Sequence, residues 1–255
     1  MKQFLHDIVA QAGKMALDYR ARLGELVVER KSINEIVSTA DPAIETFLTT
    51  EIRRRYPGHA IFGEEHGHHS GSQYRWLIDP IDGTTCFVRG LPFFGVSVGV
   101  EKDDKLVLGA VYLPALDEFF EAQRDHGAFL NGKPINVSQH ARLQESVLAT
   151  SVGCIGYGPE KDNLAAITAI KPNILTLRNF GSAAMHCCYV ACGRLEGYWQ
   201  PSARPYDVAA GLLIVHEARG RFSDFNGRLQ NHYHQVVASN GLIHDDMVDI
   251  LKKTL

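Results

Sequence analysis

The amino-acid sequence predicts a layered fold of the α/β or α+β kind, with sheets sandwiched between helices. Short β-like runs crowd the first half of the chain, whereas extended and helical pieces alternate in the second. The 255 residues, 45% hydrophobic and 22% charged, suffice for one large domain or two intimately packed halves. The polar stretch from Gln139 to Ser146 suggests a division into residues 1–140 and 141–255.

Each element follows from local pattern. Phe4, Leu5, Ile8, Val9, Ala12, Ala16 and Leu17 recur at helical spacing, so a helix opens the chain. Leu26–Val28 and Glu35–Ser38 read as short strands around a polar loop, Lys31–Asn34. Asp41–Pro42 suggests a helix start, with the acid as N-cap and proline in the first turn; Pro57–Gly58 closes that helix. Extended runs are expected at Ala60–Phe62, Trp76–Ile78, Phe94–Val100, Leu106–Tyr112 and Glu118–Ala122, and Asn131–Gly132 suits a tight hairpin. In the second half Val147–Thr150, Ile174–Leu177, Leu195–Trp199 and Val236–Ala238 look extended, while Asn163–Ile170, Ser182–Ala191, Asp207–Ala218 and Asp245–Lys253 look helical.

Composition excludes several classes. The formal charge of −3 is spread without long runs of one sign, against a nucleic-acid-binding surface. No apolar stretch approaches the roughly 20 residues that cross a bilayer. Polar residues interrupt the first helix, so it is no signal peptide, and a cytoplasmic protein is expected. The five cysteines include no C-x-x-C pair; Cys187, Cys188 and Cys192 read as buried reduced thiols. His66, His68 and His69 form a polar, Gly-flanked patch that reads as an exposed loop rather than a transition-metal site.

The chemistry-bearing segment is Trp76-Leu77-Ile78-Asp79-Pro80-Ile81-Asp82-Gly83-Thr84-Thr85. An apolar strand runs directly into two acids, and buried acids are costly without compensation. Divalent cations compensate them, and carboxylate oxygen suits Mg2+. Proline is expected to fix a turn that points both acids to one side, and a helix opening at Gly83–Thr85 would offer N–H groups to a phosphate. Glu64 and Glu65 follow another short strand, and Asp207 precedes a small-residue helix whose dipole favours an acid. Taken singly, each acid could equally be a turn or a cap.

Together these pieces resemble the inositol monophosphatase family across nearly the whole chain. The matching segments are Ile36–Asp41, Phe62–Glu65, Trp76–Thr85, Arg178–Ala184, and Pro205–Gly211 with Glu217-Ala218 after it. The resemblance implies an αβαβα sandwich of the inositol monophosphatase/fructose-1,6-bisphosphatase type. It implies a lithium-sensitive homodimer that hydrolyses a small phosphate ester, foremost inositol 1-phosphate, with two or three Mg2+ ions. Glu64, Asp79 and the carbonyl of Ile81 would hold the first ion. Asp79 would bridge to a second, held also by Asp82 and Asp207, and Glu64 would support a third site. Thr84, paired with Asp41, would activate a water, with Glu64 in the catalytic group. Asp82, Gly83, Thr84 and Asp207 would face the phosphate side, and Gly181, Ser182, Ala183 and Gln200 the alcohol.

The departures from the family pattern are local. Cys86 stands where Asn is common, Tyr206 where Trp is, Ser38 where Thr is, and Arg219 where Gly is. Gln200 replaces a Glu that accepts from inositol hydroxyls, which leaves the alcohol open. Relatives that hydrolyse fructose 1,6-bisphosphate, NADP, 3′-phosphoadenosine 5′-phosphate or histidinol phosphate mark the alternatives. A regulatory protein of RNA metabolism, acting through partners, is the alternative from another class.

Overall fold

The computed structural model describes residues 1–32, 35–71, 73–152, 163–229 and 233–254. Of the expected Lys31–Asn34 loop, residues 33 and 34 lie outside the described residues.

Helix α1 (Lys2–Arg20) buries Leu5, Ile8, Val9, Ala12, Gly13 and Ala16, a stripe at i, i+3, i+4 spacing. A two-stranded ribbon follows, β1 (Val28–Arg30) antiparallel to β2 (Ile36–Ser38). Helix α2 (Ala40–Arg55) comes next. Its N-cap is Thr39, so Asp41 lies inside the first turn and is not the cap. From there its carboxylate reaches back to accept the backbone N–H of Ser38 at 2.9 Å and the Ser38 hydroxyl at 2.6 Å.

The large sheet contains β3 (Ala60–Gly63), β4 (Gly67–His69), β5 (Tyr74–Asp82), β6 (Gly95–Lys102), β7 (Lys105–Leu113), β8 (Glu118–Gln123), β9 (Ala128–Leu130) and β10 (Lys133–Ile135). Its spatial order is β10-β9-β8-β7-β6-β5-β3-β4, and β3 runs parallel to β5 while the other pairs are antiparallel. Asn131 and Gly132, both at positive φ, close the β9–β10 hairpin as expected. The histidine patch is only partly a loop: His66 lies in an exposed turn as expected, but His68 and His69 belong to the edge strand β4, where Gly67–His69 pairs with Ile61–Gly63. Its polar composition hid the strand, because an edge strand needs no buried face.

Between β5 and β6 lies the short helix α3 (Thr84–Val88). The second sheet has the order β12-β11-β13-β15-β14, from β11 (Val147–Thr150), β12 (Thr176–Arg178), β13 (Gly197–Gln200), β14 (Arg221–Ser223) and β15 (Val236–Ser239). Helices α4 (Leu164–Ile170), α5 (Ala183–Ala191), α6 (Pro205–Glu217) and α7 (His244–Leu251) complete the fold.

Side-chain alternation sets the layers. On β5, Trp76 and Ile78 join the α1–α2 core, while Leu77 faces the core built around α5 and α6. On β13, Tyr198 faces α5–α6 and Trp199 the α4–α7 layer. The order is thus helices, sheet, helices, sheet, helices: the expected αβαβα sandwich. Every residue of α6 from Tyr206 to Val215 is buried, as an inner layer requires. Ala209 and Ala210 let it settle close on the large sheet: a Cβ on Gly109 would meet the Ala210 carbonyl at 2.8 Å.

Candidate active site

Strand β5 delivers the first two acids. Asp79 pairs with Ser97 and Asp82 with Gly95, and the register shifts between them. Asp79-Pro80-Ile81-Asp82 is therefore a bulge at the end of a continuous strand, not the turn the sequence suggested. Proline fits there because it has no N–H to give to the ladder. Asp79 accepts the Ile81 N–H at 3.0 Å. Gly83 then takes φ 98°, a conformation open to glycine, and a Cβ there would meet the Phe93 carbonyl at 2.7 Å. This turn starts α3 with Thr84.

Glu64 leaves the end of β3 beside Asp79, its N–H donating to the Ile78 carbonyl at 3.2 Å. Asp207 arrives from the other sheet's side, in the first turn of α6, and accepts the Arg204 N–H at 2.9 Å. The Ser97 hydroxyl donates to the Tyr206 carbonyl at 3.4 Å and ties that turn to β6. Asp82 reaches across to α5. It accepts the Ser182 hydroxyl at 2.6 Å and the N–H groups of Ala183 and Ala184 at 3.1 and 2.6 Å.

These elements enclose a cavity of about 560 Å³. Glu64, Asp79, Ile81, Asp82, Gly83, Thr84 and Asp207 line one side of it, and Gly181, Ala183 and Gln200 also line it. Two expected residues stand behind the wall. Asp41 accepts the Thr84 hydroxyl at 3.1 Å, and Ser182 both donates to Asp82 and caps α5 by accepting the Met185 N–H. The Ser182 hydroxyl is thus committed within the protein.

Electrostatics set this cavity apart. Burial is the first cause that raises the pKa of Asp41, Glu64, Asp79, Asp82 and Asp207. Mutual repulsion adds to it: Glu64, Asp82, Asp207 and Asp41 all push Asp79 up, well above the carboxylate range. Glu64 rises to about 7 and Asp82 to about 6. The protein offers little cationic compensation. Lys31 donates to Glu64 at 3.0 Å and to Glu65, and Arg204 lies beside Asp207. Among the described residues no three acidic, imidazole or thiol side chains already meet around one point as a metal cage. The donor set nevertheless fits a hard divalent cation. It is all oxygen, buried and mutually repelling, and the Ile81 carbonyl, 3.1 Å from the Thr84 hydroxyl whose hydrogen goes to Asp41, has lone pairs to offer.

Several supporting residues carried no sequence signal. Glu45, 0% exposed, accepts the N–H groups of Glu65 and His66 at 2.8 and 2.9 Å and so fixes the turn that bears Glu64. His186, driven down to about 3 by burial, accepts the Phe180 N–H at 3.0 Å and holds the loop before Gly181. Tyr198 and Ser151 donate to Gln200 Oε1, the latter at 3.2 Å, while Gln200 Nε2 donates to the Ser202 carbonyl at 2.7 Å. Only the Tyr198-x-Gln200 spacing, which puts both on one face of a strand, could have announced that contact. Among the departures, Ser38 keeps the hydroxyl bond to Asp41, and the Cys86 thiol meets the Phe180 carbonyl at 3.3 Å. Arg219 holds φ 70°, a backbone better suited to glycine.

Comparison with known proteins agrees with this architecture. The model of the inositol monophosphatase family matches residues 1–253. The inositol-1-monophosphatase of Mesorhizobium japonicum is 36% identical over 235 residues, 90% of this chain and 88% of the relative. A fructose-1,6-bisphosphatase/inositol-1-monophosphatase of Thermotoga maritima is 37% identical over 230 residues, 89% of this chain and 87% of its own. The extragenic suppressor protein suhB of Bartonella henselae superposes with a TM-score of 0.93 at 32% identity, over 99% of this chain and 98% of that one. The family uses divalent metal ions. No helix among the described residues is long and apolar enough to cross a membrane. The chain belongs to the inositol monophosphatase family, and with it to the phosphatases.

Proposed function

We propose that the chain is a Mg2+-dependent phosphomonoesterase acting on a small alcohol or sugar phosphate, foremost inositol 1-phosphate. The observation that carries this reading is the crowding of Glu64, Asp79, Asp82 and Asp207 around one cavity with so little cationic compensation from the protein. Glu64, Asp79, the Ile81 carbonyl, Asp82 and Asp207 would hold two ions, with Asp79 shared, and Glu64 would serve a third. Bound there, the ions supply positive charge to the phosphoryl oxygens and acidify water.

The protein's own groups do the rest. The Thr84 hydroxyl, already donating to Asp41 at 3.1 Å, has its oxygen free to accept from the attacking water. Asp41, held by Ser38, fixes that orientation and takes up the proton that Thr84 passes on. The N–H groups of Gly83 and Thr84 are assigned to the phosphate. Gly181, Ala183 and Gln200 border the space for the alcohol, and Ser182 acts through Asp82.

Gln200 refines the substrate expectation. Its amide is oriented by the Ser202 carbonyl, which can only accept, and its oxygen is occupied by Ser151 and Tyr198. It therefore offers hydroxyls of an alcohol little acceptor capacity, so a broader range of sugar phosphates fits beside inositol 1-phosphate. Fructose 1,6-bisphosphate belongs to that range, as the name of the Thermotoga maritima relative suggests. The homodimer, the lithium sensitivity and the cytoplasmic location belong to the same reading. Phosphate release from a panel of inositol, sugar and nucleotide phosphates, in Mg2+ with and without Li+, tests it. Inositol 1-phosphate and sugar phosphates should be hydrolysed fastest, with inhibition by Li+. Preference for nucleotide phosphates, or no turnover in Mg2+, would overturn it.

A further inference from the structure

The acid-rich cavity has a second, apolar side. Cys86, Leu91, Phe93 and Phe180 line it beside Gly181, and Val152 joins them from just past the end of β11. The first four are contiguous. The Cys86 thiol meets the Phe180 carbonyl at 3.3 Å, the Cys86 carbonyl accepts the Leu91 N–H at 2.9 Å, and the rings of Phe93 and Phe180 lie 5.5 Å apart. Leu91 and Val152 are 45% and 51% exposed, although each lines a concave site. Apolar side chains scattered over a convex surface need no explanation, but a leucine and a valine opening into one cavity with two aromatic rings do. Leu91 is also held in place: Arg20 Nη2 donates to the Gly90 carbonyl at 2.6 Å, Gly90 takes φ 72°, and Pro92 follows.

Hydrogen-bonding capacity on this side is largely spent. Gln200 is engaged at both ends of its amide, Ser151 gives its hydroxyl hydrogen to Gln200, and Asn179 Oδ1 accepts the Gly181 N–H at 2.9 Å. Glu35, which also lines the cavity, faces Arg204 at 3.4 Å. Among the described residues no Lys, Arg or His lines it. The Asn179 amide N–H groups and the Thr85 hydroxyl remain for a substrate hydroxyl. An alcohol rich in hydroxyls thus finds few partners here, whereas a hydrocarbon face meets leucine, valine and aromatic carbon.

Resting on the phosphatase reading above, we propose that Leu91, Phe93, Val152 and Phe180 form an apolar subsite that takes the ring C–H face of the alcohol. The substrate class is then a phosphate monoester of a cyclic alcohol, selected by its hydrocarbon face and size rather than by its pattern of hydroxyls. Leu91 and Val152 set that selection.

Cyclohexyl phosphate keeps the ring of inositol 1-phosphate without its free hydroxyls, and glycerol 2-phosphate has hydroxyls without a ring. Phosphate release from all three esters is followed in Mg2+ with the full-length protein. The KM of cyclohexyl phosphate should lie within about threefold of that of inositol 1-phosphate, and below that of glycerol 2-phosphate. Leu91→Ala should raise the KM of cyclohexyl phosphate about tenfold relative to that of glycerol 2-phosphate. Val152→Thr, which keeps the shape of the side chain, should raise that ratio about threefold. A cyclohexyl phosphate KM more than about tenfold above that of inositol 1-phosphate, or an unchanged ratio in both variants, would overturn the subsite and leave the phosphatase reading standing. The absence of Mg2+-dependent release from all three esters would overturn that reading itself, and the subsite with it.

Discussion

Two groups of buried carboxylates sit at opposite ends of the β5–β6 pair, and the protein treats them in opposite ways. At one end Glu101, 1% exposed, faces its cross-strand partner Arg75, which donates from Nε at 2.8 Å and Nη2 at 2.5 Å, and it also accepts the Tyr233 hydroxyl at 3.0 Å. At the other end Asp79 is as deeply buried but is surrounded by Glu64, Asp82, Asp207 and Asp41. The first acid is a structural pair whose charge is met within the chain. The second group is left short of positive charge, and that deficit is what a divalent cation would fill. Burial alone does not mark a functional acid; burial without a counter-charge does.

The comparison can be broken from either end. The largest effect is expected at the uncompensated end. Asp79→Asn keeps an oxygen for the Ile81 N–H yet removes the shared charge. It should lower Mg2+-dependent phosphate release about a thousandfold or more, with an unchanged circular dichroism spectrum. Turnover near wild type would remove Asp79 from the mechanism. A smaller effect of a different kind is expected at the compensated end. Glu101→Gln leaves Arg75 only the exposed Asp104, 3.5 Å away, as counter-charge and should cost about 1–2 kcal/mol in urea unfolding, the Arg side chain being 35% exposed. Turnover per folded molecule should stay the same. A loss of turnover without a loss of stability would show that the two ends are coupled.

Much of this contrast was legible in the sequence, and the reasons are local. Strand β5 was readable because its apolar run meets two acids at once. The small residues after Asp207 marked a tightly packed helix, and the ordered motifs fixed the family. Burial and partner geometry were not readable. Asp41 looked like an N-cap because Asp-Pro often starts a helix, whereas the Ser38 bonds place the start earlier. The Asp79–Asp82 segment looked like a turn because a one-step register shift leaves no compositional trace. Glu45 acts through backbone groups some 20 residues further along the chain, and His186 folds back on the Phe180 N–H just before its own helix; no short motif encodes either contact. The β4 edge was hidden for a related reason: its three residues are polar or glycine and none is fully buried, so no apolar alternation marks the strand.

The central claim concerns charge, and the pH dependence of stability tests it directly. Without metal, Glu64 and Asp82 have pKa values near 7 and 6 against ordinary values of 4.5 and 3.8. The folded state then holds more protons than the unfolded one between about pH 4 and pH 7, so this cluster withdraws stability as pH rises through that window. The buried His186 and His244 act in the opposite direction, losing stability as pH falls, but they contribute equally to any variant of the acid site. The decisive measurement is the melting temperature of wild type and Asp79→Asn at pH 5 and pH 8, each with and without Mg2+. The variant should gain on metal-free wild type between pH 5 and pH 8, and Mg2+ at pH 8 should raise the wild-type Tm far more than the variant's. A difference independent of pH, together with a wild-type Tm indifferent to Mg2+, would contradict the claim that the cavity is a cation site.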